Sequence, residues 1–505
     1  MVERAAYLRR SIALLDWVQS NHPDARVSYG TATLGSWKEV APRWQLFGNR
    51  IRLQIRCRGR ELAFWASSVQ PAATGATIRI RGLAGLAPEA IQVAWRDPAA
   101  SKRDSWDMKK AARAWAAETL PGCRIVSAIQ AADRAHTLSG ACLRLMVRHG
   151  KADHLVLACS AEGDEEMEHA ILTQALLWLT CLGARHRMKG VPAVYLLVPE
   201  GRADVLFHRC RLVNSERVRV QVWEYREGKA GTWEFRQPDP PAPLLEDRDF
   251  RWPVLGPFRW SPLLEGVIDL APSLIQRYPR FQDYDSLRLW GLEFARVLGP
   301  DRDRIRFGVG PHQTELTKDN FADLRALVDE IVYYRRPDSP ATDHPFYRAQ
   351  AERWLECLLL KDVGFLFPEL VPGSVYPQIP VYLGKVPGRV DILGADREGR
   401  LVVMELKVTE DPDMPLQSLD YWGRVIGHNL NGDFERRCYF PGIRLSRARP
   451  RIYLVSPVFS FHDSLEHLLR CLDPDLEVSK IAINEDWRCG VKILRRTSYR
   501  CGDLE

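Results

Sequence analysis

The sequence predicts an α/β protein with three parts: a C-terminal mixed sheet flanked by helices, a degenerate second copy of that core upstream, and a small β-rich N-terminal domain. Three observations carry this. Short apolar runs bounded by charged turns recur along the chain, the pattern of strands joined by hairpins. One stretch, Pro387–Val408 (PGRVDILGADREGRLVVMELKV), places acidic and basic residues inside otherwise apolar strands. The order helix, hairpin, helix, buried strand occurs twice.

Residues 1–100 open with a helical pattern and continue in alternating runs, RIRLQIRCRG, ELAFWASSV and ATIRIRGL, that read as β-hairpins. Arg50, Arg52, Arg56, Arg58 and Arg60 alternate along one run, either as phosphate contacts or as a solvated face. Residues 101–235 hold the helix ARAWAAETL, the strand–turn–strand CLRLMVRHGKADHLVLACSA, the helix TQALLW and the buried strand AVYLLVP. Residues 236–340 read as a proline-rich linker followed by a helical segment, with DSLRLWGLEFARVL and FADLRALVDEIVYYRR as its helices. Residues 341–505 repeat the earlier order: AERWLECLLL, the Pro387–Val408 hairpin, LQSLDYW, and RIYLVSP.

The chemistry concentrates in this last region. Residues two apart in a strand share a face, so Glu405 and Lys407 project together. The turn ADREGR, with Gly399, folds the chain back and brings Asp391 beside Glu405. Charges converging on strands as apolar as VVM need compensation. A divalent cation bound by carboxylate oxygens supplies it. Glu352 and Glu356 lie four apart on the preceding helix, and Glu356 is the better placed of the two to face the acids.

This pattern resembles the PD-(D/E)XK, or restriction-endonuclease-like, nuclease superfamily. The family's acid–hairpin–Glu-x-Lys reads here as Asp391, Glu405, Leu406, Lys407, with Val390 in place of the proline. Gln417 and Tyr421 match the helical Gln-x-x-x-Tyr of RecB-type members, and GRVDILGADREGRLVVMELK is similar to the nuclease domain of archaeal mismatch-cutting endonucleases. The resemblance covers residues 341–505. It implies phosphodiester hydrolysis with Mg²⁺ or Mn²⁺, held by Asp391, Glu405, the Leu406 carbonyl and Glu356, with Glu352 as the alternative ligand. It also implies an electrostatic role for Lys407 and a positioning role for Gln417 and Tyr421. By family habit DNA is favoured over RNA. Arg389, Arg424, Arg436, Arg437, Arg444, Arg447 and Arg449 are candidate phosphate contacts.

Aligning the copies places Arg144 where the second has Asp391, Ala158 at Glu405 and Ser160 at Lys407. The first copy therefore lacks catalytic groups. Arg144 is expected to receive a phosphate; the first copy can form an intramolecular pseudo-dimer with the second or grip duplex opposite it, and a homodimer is equally open. Composition agrees with a soluble, cytoplasmic enzyme and no membrane partner: 46% hydrophobic and 27% charged residues, net charge +7, and no signal-peptide pattern. The 11 cysteines form no Cys-x-x-Cys, which argues against zinc and iron–sulfur centres. The competing reading is a catalytically inactive nucleic-acid-binding or scaffold protein on the same fold.

Overall fold

The structure is a computed structural model. It describes residues 102–159, 165–185, 191–228, 232–239 and 261–504, with short breaks at 280–283, 300–303, 311–312 and 384–385, and mainly the strands within 1–101. The chain forms two compact units, each discontinuous in sequence. Residues 1–101 and 256–354 make one; residues 102–255 and 355–505 make the other.

The first unit begins with β1 (Arg26–Tyr29), β2 (Ala32–Ser36), β3 (Arg43–Phe47), β4 (Arg50–Cys57), β5 (Arg60–Ala72), β6 (Gly75–Arg81) and β7 (Ala90–Ala94). They form one antiparallel sheet. The expected N-terminal helix and the side chains of the alternating arginines lie outside the described residues.

The second unit starts with α1 (Pro98–Thr119), β8 (Arg124–Ile129), β9 (Cys142–His149), β10 (Ala152–Cys159), α2 (Glu165–Arg185), β11 (Ala193–Pro199), α3 (Asp204–Cys210), β12 (Arg219–Glu227) and β13 (Trp233–Arg236). Its sheet runs in simple sequence order, β8 to β13. The β8–β9–β10 pairings are antiparallel, β10–β11–β12 are parallel, and β12–β13 is antiparallel again. Helix α1 buries Trp115 against Tyr195 on one face, and α2 buries Ile171, Leu172 and Ala175 on the other.

The chain then returns to the first unit with α4 (Pro262–Ile268), β14 (Ile275–Pro279), β15 (Tyr284–Leu289), β16 (Leu292–Leu298), β17 (Arg304–Phe307), β18 (Thr314–Glu315) and α5 (Phe321–Tyr334). Strands β14–β18 are a five-stranded antiparallel sheet, which corrects the helical reading of residues 263–340. DSLRLWGLEFARVL is a hairpin, not a helix. Its leucine spacing fits either period, but Trp290 and Gly291 both take positive φ (43° and 77°) and turn the chain. An added Cβ at Gly291 would fall 2.1 Å from the Arg353 carbonyl oxygen, so the turn requires glycine. FADLRALVDEIVYY is helical as expected.

The second unit is completed by β19 (Leu370–Leu383), β20 (Val386–Asp396), β21 (Leu401–Leu406), α7 (Met414–Leu430), β22 (Arg451–Pro457), α8 (Leu465–Arg470), β23 (Glu477–Ile483) and β24 (Ile493–Arg500). Helix α6, AERWLECLLLK (Ala351–Lys361), precedes β19. This sheet repeats the β8–β13 sheet strand for strand: sequence order throughout, two antiparallel pairings, two parallel, one antiparallel. Helices α2 and α7, and α3 and α8, occupy the same places in chain order.

The two copies pack on each other through an approximate twofold relation. Helix α3 packs against α7, and α8 against α2. At the centre Val213 and Leu472 form an antiparallel bridge. Asn214 N–H donates to the Cys471 carbonyl (2.9 Å), and Asp473 N–H returns a bond to the Leu212 carbonyl (2.7 Å). Such reciprocity marks a self-complementary interface.

Candidate active site

Strand register assembles the site. Gln378 on β19 lies between the pairs Pro377–Ile392 and Ile379–Val390, which sets it beside Asp391 on β20. Asp391 lies one step from the Ile392–Met404 pair, beside Glu405 on β21. Glu405 pairs with Leu454 on β22. Gln378, Asp391 and Glu405 thus form one polar row across a sheet whose other members, such as Val403 and Leu454, are fully buried.

Hydrogen bonds tie the row together. Asp391 Oδ2 accepts from the Leu406 N–H at 2.9 Å. The Gln378 side-chain amide donates to Asp391 Oδ1 at 3.3 Å and also to Glu356 Oε2. Glu356, 1% exposed, is therefore the helical acid that reaches the site; Glu352 is half-buried one turn earlier. Lys407 Nζ lies 3.7 Å from Glu405 Oε1 and 3.0 Å from Asp411 Oδ2. The Tyr421 phenol is pushed up from its ordinary value by burial first, then by the nearby charges of Glu405 and Asp391. Tyr421 lies close over β20: a Cβ added at Gly388 would stand 3.0 Å from its ring. Gln417 is half-buried one turn earlier on α7.

Gln378 was not legible as a site residue. It takes a left-handed backbone, φ 58°, inside a strand, a conformation that costs free energy outside glycine. Its Oε1 is buried without a hydrogen bond. A register count back from the β19–β20 hairpin would have placed this one polar residue of YPQIP opposite Asp391.

The donor set suits a hard divalent cation in part. Glu356 and Asp391 converge on a single donor, and Gln378 Oε1 is a neutral oxygen with unmet bonding capacity. Among the described residues no three His, Cys, Asp or Glu side chains are gathered closely enough to hold a metal ion. The residues therefore fit a cation bound by two acids and amide or carbonyl oxygen, not a closed cage of acids.

The basic residues lie elsewhere than expected. Strand β22 runs parallel to β21, so the loop leading into it arrives at the start of β21, by the Gly399 turn. Ser446 N–H donates to the Gly399 carbonyl (2.8 Å), and an added Cβ at Gly399 would sit 2.1 Å from the Arg444 carbonyl oxygen. The exposed Arg444, Arg447 and Arg449 are thereby set toward the opposite end of β21 from Glu405, roughly 15 Å off at the usual strand rise. Arg449 pairs with Asp473 (3.3 Å) and Arg436 with Asp433. Arg437 and Arg389 are half-buried, Arg389 two residues before Asp391, and Arg424 is buried on α7.

The equivalent row in the first copy reads Ile129, Arg144, Leu157, Leu196. Register therefore sets Leu157, not Ala158, at the place of Glu405, and Cys159 at that of Lys407. Ser160 lies outside the described residues. Ala158 faces the other way, into the α1 cluster with Trp115. The β8–β9 loop covers this row. Arg144, 2% exposed, donates to the carbonyls of Ser139 (3.1 Å) and Ala131. Gln174 accepts from Ser139 N–H (2.7 Å) and donates to the Thr137 carbonyl (3.2 Å). Arg144 is thus a buried tie for a loop, which corrects its reading as a phosphate receptor.

No protein-family model matches this chain, and no curated protein matches it either. Among the described residues no helix is long and apolar enough to cross a membrane.

Proposed function

We propose that the second copy is a metal-dependent nuclease that hydrolyses phosphodiester bonds, with DNA the favoured substrate. The observation that carries this reading is the row Gln378–Asp391–Glu405 with Glu356 and Lys407 at its edge. Acids and an ammonium at the end of apolar strands have no packing reason to be there. Bound Mg²⁺ or Mn²⁺ would supply an acidified water and charge neutralisation at the phosphate. Two acids at a time from Asp391, Glu405 and Glu356 would hold it, with Gln378 Oε1 and the Leu406 carbonyl as neutral oxygens.

The chain's own groups do the rest. Lys407, held by Glu405 and Asp411, brings a point charge to the side of the row where charge builds on the phosphate. Tyr421, kept protonated by its buried and acidic surroundings, can donate a hydrogen bond to a phosphate oxygen or to the attacking water. Gln417 shares its helix and orients the same groups.

The test is cleavage of supercoiled, linear, nicked and single-stranded DNA and of RNA, each with Mg²⁺, Mn²⁺ or EDTA, beside the Lys407→Ala variant. Metal-dependent cleavage lost in Lys407→Ala is the expected result. Binding without cleavage of any substrate would favour the second reading, a non-catalytic nucleic-acid-binding protein. That reading draws on the absence of a three-residue acid, His or Cys cluster among the described residues.

A further inference from the structure

The twofold relation between the copies is broken at one place. Aligning Val213 with Leu472 sets His208 and Arg209 of α3, and Arg211 just past its end, against His467, Leu468 and Arg470 of α8. Leu468, 1% exposed, joins the apolar cluster of α2 with Leu172, Ala175 and Leu176. Arg209 stands at the same place on the other side and meets α7 with charge. It is 2% exposed at its side chain. Its Nε donates to Asp420 (3.1 Å), Nη2 to Asp420 Oδ2 (2.8 Å), and Nη1 to Asp413 Oδ1 (3.0 Å) and the His169 carbonyl (2.6 Å). Thr173 of α2 donates a further bond to Asp413. With Gln174 aligned to Gln417, the α2 positions matching Asp413 and Asp420 are Ala170 and Leu177.

The same contact is therefore apolar on one side of the axis and a buried ion triad on the other. A buried triad is weak as a source of stability, and apolar replacement is often neutral or better. Its directional bonds fix register instead. The helix it grips is the one that carries Gln417 and Tyr421. Asp413 and Asp420 bracket Gln417, and Asp420 adjoins Tyr421, whose ring has no slack against Gly388. We propose that Arg209, from the copy without catalytic groups, is a positioning residue for the other copy's site: it locks α7 in rotation and register so that Gln417 and Tyr421 meet the Asp391–Glu405 row. This rests on the nuclease reading.

The closing experiment copies one side of the axis onto the other, in the full chain. The triple variant Arg209→Leu, Asp413→Ala, Asp420→Leu rebuilds the Leu468 contact. Expected are a melting temperature equal to or above wild type, unchanged DNA affinity in Ca²⁺, and kcat roughly 10- to 100-fold lower with KM little changed. Amide exchange over residues 414–424 should quicken. Arg209→Lys keeps the charge but not the fork, and should give an intermediate kcat; it carries the same test if the triple variant does not fold. Wild-type kcat in either folded variant would overturn the positioning role and leave the nuclease reading standing. A wild-type chain that cleaves no substrate with either metal would end both.

Discussion

Two sheets of one topology sit side by side in this molecule, and their equivalent rows differ in every member but the last. Gln378, Asp391, Glu405 and Leu454 cross one sheet; Ile129, Arg144, Leu157 and Leu196 cross the other. The frame tolerates both. What changes is the compensation each row needs. The apolar row is covered by a loop tied down by Arg144 and Gln174. The polar row is held by convergent hydrogen bonds. The topology is common to both; three positions in the row and one loop set them apart.

The sharpest way to break the comparison is at Lys407. Lys407→Ala should lower metal-dependent turnover by about 10²- to 10³-fold, as loss of one preorganised charge does. DNA affinity in Ca²⁺ should stay within about twofold, since one ammonium is a small part of a many-phosphate contact. Single-turnover cleavage and a binding titration check both.

Exchanging the rows should come next in effect. Leu157→Glu puts a carboxylate at a fully buried position beside Arg144, whose guanidinium is already committed to the Ser139 and Ala131 carbonyls, and should cost about 1–3 kcal/mol in urea unfolding, less at acid pH where the group is neutral. Glu405→Leu should abolish cleavage yet leave stability equal or higher. Equal destabilisation by both changes would mean that the rows are not equivalent.

Arg144→Met should cost about 1–3 kcal/mol by leaving the Ser139 and Ala131 carbonyls without their donor. It should leave nucleic-acid affinity unchanged. Weaker binding at unchanged stability would restore the phosphate role that its burial argues against.

The smallest effect concerns His208 on α3. Burial first, then the charges of Arg424 and Arg211, push its imidazole down to about 4. Its folded value lies below the unfolded one, so the unfolded chain binds the extra proton between about pH 4 and 6.5. Stability from this group is full above that window and is lost as pH falls through it, by roughly 2 kcal/mol. Urea unfolding at pH 5 and 7.5 should show that slope, and His208→Gln should flatten it.

Much of the equipped copy was legible because strand period and turn chemistry act locally. Asp391, Glu405 and Lys407 follow from alternation and from the Gly399 turn, and the repeat followed from element order. What escaped depended on partners distant in sequence. DSLRLWGLEFARVL fits both periods until Trp290 and Gly291 turn it. Alignment by eye put Ala158 where register puts Leu157, a one-residue slip that exchanges the two faces of a strand. The arginines of residues 436–449 are near Lys407 in sequence, but a parallel strand order carries their loop to the far end of β21. Gln378 and Arg209 are single polar residues whose meaning lies in contacts that no local pattern encodes.

The Arg209 triad also sets a schedule. Arg209 precedes Asp413 by 204 residues, and the whole of the other unit's second segment is made between them. At ordinary elongation rates of about 5–20 residues per second, that is about 10–40 s in which α3 exists without α7. Until then its guanidinium has the His169 carbonyl but neither aspartate as partner, and the α2 face that awaits Leu468 has no cover from α8. The first copy can reach its sheet topology early, but its closing interface waits for the last third of the chain. Translation rate and chaperone access during that interval should therefore bear on yield.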